Sequence, residues 1–173
     1  MGEPTRNRWL RLLQHRWHDE RDAERALGPD GARRIAARIA ASERRHDGEI
    51  RVVVEAGLPW SYIRRGATAR DRAITLFGKL RVWDTERNNG VLIYLLLAER
   101  RIEIVADRGL ARRVDEAHWQ AVLDTMRVHF REGRHAEGLD RAIDAVDGLL
   151  AQHFPLAPCA ASANELPDDP VVG

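Results

Sequence analysis

Val91-Leu92-Ile93-Tyr94-Leu95-Leu96-Leu97-Ala98 is an unbroken apolar run. Eight residues are far short of the roughly 20 that a membrane helix needs. As a strand over 90–97, the run exposes apolar side chains on both alternating faces, so both faces must be covered. This places it at the centre of a sheet with a layer on each side. Glu99-Arg100 leaves room only for a tight turn, and Arg101-Ile102-Glu103-Ile104-Val105-Ala106 then alternates as a half-buried strand. The two segments therefore form an antiparallel hairpin.

The flanking segments fix the topology. Glu49-Ile50-Arg51-Val52-Val53-Val54-Glu55 is rich in β-branched residues and reads as a strand. Gly57, Pro59 and Gly66 mark a loop, and residues 67–80 read as a helix with Ala73, Ile74, Phe77 and Leu80 on one face. A strand–helix–strand order makes a right-handed crossover between parallel strands. A helix opens at Pro29-Asp30 and ends near His46-Asp47-Gly48, where Gly48 allows a left-handed stop. Two further helices span 114–131 and 136–153, the first opened by Asp115 and the second stopped by Pro155 and Pro158. The expected fold class is α/β. It is a three-layer α/β/α sandwich around a small mixed sheet with a parallel crossover and an antiparallel hairpin.

The 173 residues suffice for one domain with its own core. A formal net charge of +1 gives no global footprint for nucleic acid. Cys159 is the single cysteine, so neither an internal disulfide nor a multi-cysteine metal site is available. No secretory signal is evident, and a cytoplasmic or membrane-peripheral location is expected. Residues 1–27 form an amphipathic N-terminal helix, with Trp9, Leu12, Leu13 and Trp17 on one face and several arginines beside them. It either packs on the domain or on another protomer, or lies on an anionic membrane. Residues 28–154 form the domain, and the Pro/Ala/Ser-rich stretch 155–173 reads as a disordered tail.

The expected strand directions bring distant loops to one edge of the sheet. That edge collects His46, Asp47 and Glu49, then Asp84, Glu86, Asn88 and Asn89, then Asp107 and Arg108, with Asp115 nearby. Hard cations take carboxylate, amide and carbonyl oxygens, so a Ca²⁺ or Mg²⁺ site is one reading. Solvated loop acids, with Asn88 and Asn89 shaping a turn, are the other. His46 either serves acid–base chemistry or interacts with a helix end. Ser42, Ser61 and Ser162 are the only serines, and none sits in a nucleophile elbow. Trp60 and Trp83 either pack loops onto the sheet or form an exposed patch for a partner. The opposite edge, with Glu55, Ser61, Glu99 and Arg100, carries fewer candidate groups.

Val82-Trp83-Asp84-Thr85-Glu86, Asn88-Asn89-Gly90-Val91-Leu92-Ile93-Tyr94 and the stretch from Glu99 to Leu110 together resemble the core motif of the TPM domain family. Ser42 to Ile50, Phe130-Arg131-Glu132-Gly133 and Gly138-Leu139 agree with it, and the resemblance spans about residues 28–154. The chain is similar to the short bacterial subgroup without signal peptide or membrane anchor. Relatives include thylakoid-lumen proteins tied to photosystem II repair.

The resemblance implies an α/β/α sandwich and a LemA-like membrane protein as partner. It also implies calcium binding as in some members, with Asp84, Asp107 and Asp115 as metal ligands, and acid-phosphatase activity as ascribed to plant members. Asp107 departs from the glycine many members carry there. The functional expectation is a non-enzymatic interaction module that acts with a membrane-associated partner and binds a divalent cation. His46, Glu49, Asn88, Asn89 and Arg108 are its binding residues. A weak metal-dependent phosphatase is the alternative.

Overall fold

A computed structural model describes residues 20–156 and 164–173. Their elements run α1 (Glu20–Leu27), α2 (Gly31–Ser42), β1 (Ile50–Glu55), α3 (Trp60–Arg64), α4 (Ala69–Lys79), β2 (Val91–Leu96), β3 (Arg101–Ala106), α5 (Arg108–Ala111), α6 (Glu116–Arg131), α7 (His135–His153) and β4 (Val171–Val172). The Trp9–Trp17 face of the expected N-terminal helix, and Cys159, lie outside the described residues.

The sheet order is β3-β2-β1-β4. β1 pairs parallel with β2 from Ile50↔Val91 to Glu55↔Leu96, and β2 pairs antiparallel with β3 from Val91↔Ala106 to Leu96↔Arg101. Every β2 residue is buried, as its uninterrupted apolar run requires. Ile50, Val52, Val54, Val91, Ile93, Leu95, Ile102 and Ile104 face a core completed by α1, α2, α6 and α7. The alternate residues Val53, Leu92, Tyr94, Leu96 and Val105 face a second core made with α3, α4, Val82 and Leu166. The molecule is the expected α/β/α sandwich, with unequal outer layers.

Local sequence explains the starts of α4 and α6. Thr68 and Asp71 form a reciprocal capping box on α4. Asp115 Oδ1 accepts from His118 N at 2.7 Å at the start of α6. The stop expected at Gly48 is a correction: α2 ends at Ser42, and Gly48 does not have positive φ. Gly48 is small for packing, since a Cβ there would meet the Leu150 side chain.

The tail is a second correction. Residues 164–173 are docked on the sheet, where Val53↔Val171 and Val54↔Val172 pair in parallel. Leu166 fills the second core, and Arg51 donates to the carbonyls of Pro167 and Asp169. Composition understates such a segment because backbone pairing with an open strand edge does not depend on apolar content.

Candidate functional site

The acidic edge is a backbone neighbourhood. Val91 N donates to Glu49 O at 2.8 Å, Asp107 N to Gly90 O at 2.9 Å, and Gly109 N to Asn88 O at 2.8 Å. Gly90 and Gly109 permit this approach: a Cβ on Gly90 would collide with Val82 O, and one on Gly109 with the carbonyls of Arg87 and Asn88. Asn88 holds the turn with φ +53°. Asn89 is fully buried and its Nδ2 donates to Asp47 O. Asn89 Oδ1 and Asp107 Oδ2 are buried without hydrogen-bond partners among the described residues.

The side chains of the predicted set diverge from one another. His46 turns to α7. Gly48 N donates to His46 Nδ1 at 3.2 Å, which puts the ring proton on Nε2. Nε2 lies 2.8 Å from Ser42 Oγ, and Ser42 Oγ donates to Asp147 Oδ1 at 2.9 Å. A hydrolytic serine gives its proton to histidine; here the serine accepts from the histidine and donates to the aspartate. With His46 fully buried, and its pKa lowered by that burial, the trio joins α2 to α7.

Glu49, also buried, accepts from Glu165 N and Leu166 N at 3.1 Å each, and so anchors the tail. Its pKa is raised by burial. Arg108 is exposed.

The three proposed metal ligands serve separate turns. Asp84 is exposed and lies 3.4 Å from Arg81. Asp107 Oδ1 accepts from Arg108 N at 2.6 Å at the start of α5, and Asp115 caps α6. Among the described residues no group of three or more His, Cys, Asp or Glu could hold a metal ion. These residues do not fit a calcium centre as a set. Asp107 Oδ2 and Asn89 Oδ1 are the uncommitted buried oxygens of this edge.

The thinner face holds groups that the sequence reading passed over. Arg72 Nε donates to Glu55 at 3.1 and 3.0 Å, its Nη2 donates to the same carboxylate, and Tyr94 Oη donates to Glu55 Oε2 at 2.8 Å. Arg65 lies 4.0 Å and Arg72 5.1 Å from the centre of the Tyr62 ring. Hydrogen bonds from Thr75, Arg72 and Arg65 lower the Tyr62 pKa, while burial raises that of Tyr94. Glu55 alone was visible in the sequence as an edge residue. An arginine one helix away gave no pairing signal.

Outside this network the layer is exposed and basic. Trp60 is 64% and Trp83 49% exposed, and Ile74 is also exposed. This resolves the two readings of Trp60 and Trp83 in favour of a surface position. From residue 60 to 83 the chain carries Arg64, Arg65, Arg70, Lys79 and Arg81, besides the Glu55-bound Arg72, against Asp71 alone. The whole chain has net charge +1, so the remainder is net acidic.

The model of the TPM domain matches residues 21–149. The solution structure of the BA42 protein from the psychrophilic bacterium Bizionia argentinensis aligns with TM-score 0.71 at 27% identity, covering 82% of this chain and 92% of that one. The N-terminal domain of a P. gingivalis protein aligns with TM-score 0.54 at 26% identity, covering 70% and 76%. No curated protein matches. With three quarters of its length matched by the family's model and its fold shared by these structures, the chain belongs to the TPM domain family.

Proposed function

We propose that this protein is a non-enzymatic interaction module that docks on a membrane-associated partner through the α3–α4 face. One observation carries the reading: two exposed tryptophans bound a segment, residues 60–83, with six basic residues, five of them outside the Glu55–Arg72 pair, and one acid, in a chain that is otherwise net acidic. Tryptophan is enriched at membrane–water interfaces, and basic residues near an anionic leaflet contribute about 1 kcal/mol each. Among the described residues no helix is long and apolar enough to cross a membrane, so contact through this face is peripheral.

The phosphatase alternative needs Asp84 and Asp107 to converge on an ion, and they sit at separate turns. Among the described residues no group of three or more His, Cys, Asp or Glu is placed to hold an ion, and the proposal is confined to docking.

The test is co-sedimentation of the full chain with anionic vesicles carrying a LemA-like membrane protein, and with bare neutral vesicles. Retention by the first, reduced at least tenfold in a Trp60→Ser/Trp83→Ser variant, is expected. Equal recovery in the supernatant of both samples overturns the reading.

A further inference from the structure

We propose that the outer edge of β3, with the groove beside it, takes an extended peptide segment bearing acidic side chains, which adds a strand to the sheet. The inference rests on the reading of the chain as an interaction module, but it uses a different surface and names the partner's chemistry.

The geometry starts from one hydrogen bond. Asp107 N donates to Gly90 O, its directly opposite residue in the β2–β3 register. In an antiparallel pair, bonded and non-bonded opposite residues alternate. Val105, Glu103 and Arg101 therefore turn their backbone groups to β2, and Ile102, Ile104 and Ala106 turn theirs outward. Arg70 confirms the direction, since its Nη1 donates to Ile104 O from outside the sheet. Among the described residues the two ends of the sheet order differ: β1 is covered by β4, whereas β3 is terminal and six residues long.

Beside this edge lies a cavity of about 790 Å³, within the size range of ligand pockets. Trp119 and Leu123 from α6 supply an apolar wall, and Arg70, Arg112, Arg113 and Arg127 supply cations. The lining groups are engaged on both sides. Asp115 caps α6, Glu116 accepts from Gln120 at 2.8 Å and Glu103 lies 3.8 Å from Arg70. Arg70 donates to Ile104 O, Arg113 to His153 O and Arg127 to Asp124, so an acidic strand would compete for these arginines and displace Arg70 from the edge.

A strand laid along β3 projects alternate side chains to opposite faces. One set meets the α6 side, where Trp119, Leu123 and Arg127 follow one another at four-residue spacing, and the other the α4 side, where Arg70 lies. Added strands gain affinity from main-chain bonds and specificity from such alternate pockets. Pairing β3 with β3 of a second copy would instead bring two sets of these arginines together, a like-charge arrangement that disfavours it.

The experiment uses the full chain and a blocked hexapeptide of alternating glutamate and valine, with its lysine–valine counterpart as control. Binding is followed by NMR, together with amide hydrogen exchange. The glutamate peptide is expected to bind at least tenfold more tightly than the lysine peptide. It should slow exchange at Ile102, Ile104 and Ala106 at least tenfold. Arg112→Glu, at an exposed position, should weaken binding about fivefold with an otherwise unchanged spectrum.

Absence of binding, or binding that leaves those three amides unprotected, overturns the proposal. So does peptide-free protection that grows with chain concentration, which would assign the edge to a second copy. Peptide failure alongside vesicle retention removes the groove and leaves the docking face. The reverse result removes the membrane contact and leaves the groove.

Discussion

The two faces of the sheet come from the same strands and are built differently. On one, Ile50, Val52, Val54, Val91, Ile93 and Leu95 meet α1, α2, α6 and α7 in a core that includes the fully buried Met126 and Phe130. On the other, the alternate positions carry Arg51, Glu55 and Tyr94 under two helices and the tail, with Trp60 and Trp83 outside. The difference teaches a division of labour. The thick face buries the larger set of apolar side chains, and the thin face holds buried charge and exposed aromatic surface.

The largest effect that would break this contrast lies on the thick face. Phe130→Ala should destabilise the fold by about 3–5 kcal/mol, because the ring is fully buried and packs where a Cβ on Gly138 would touch it. Urea denaturation checks this; a loss below about 1 kcal/mol would mean the thick face does not dominate.

On the thin face, Glu55→Ala should cost about 3 kcal/mol, since it strands Arg72 and Tyr94 without their acceptor. Replacing Glu55, Arg72 and Tyr94 together by Met, Met and Phe should cost less than that single change, and the same titration compares the two.

A pH-dependent effect, graded over several units, sits at the seam between α2 and β1. Burial pushes the Glu43 pKa from 4.5 up to about 8, while Ile50 N donates to its carboxylate. Below pH 4.5 the group is protonated in both folded and unfolded chains. Between about 4.5 and 8 only the unfolded chain ionises, so stability falls as pH rises, by up to about 1.4 kcal/mol per pH unit. Glu49, also raised, adds a trend of the same sign. Glu43→Gln should flatten this slope in melting temperatures measured across the range. The smallest stability effect belongs to Trp60→Ser, expected within about 0.5 kcal/mol of wild type despite the loss of an indole, because the ring is exposed.

Much of the scaffold was legible. The apolar run at β2 demanded two covered faces, and the chain order of strands and helices required the parallel crossover and the hairpin. The candidate site was legible only in its backbone. Strand direction brings Glu49, Asn89 and Asp107 to one edge, yet the side chains of His46 and Glu49 turn to Asp147 and to the tail. Sequence spacing does not report χ angles or the partner that a buried acid finds more than 100 residues away. The Glu55–Arg72–Tyr94 network was hidden for the same reason. The docked tail was hidden because its hold is backbone pairing, which composition does not encode.

The most direct test of the docking face is hydrogen–deuterium exchange of the full chain with and without anionic vesicles carrying the LemA-like protein. Slowed exchange concentrated in residues 60–83, with α6 and α7 unchanged, is predicted. Protection confined to α6 and α7, or to residues 1–19, would contradict the account.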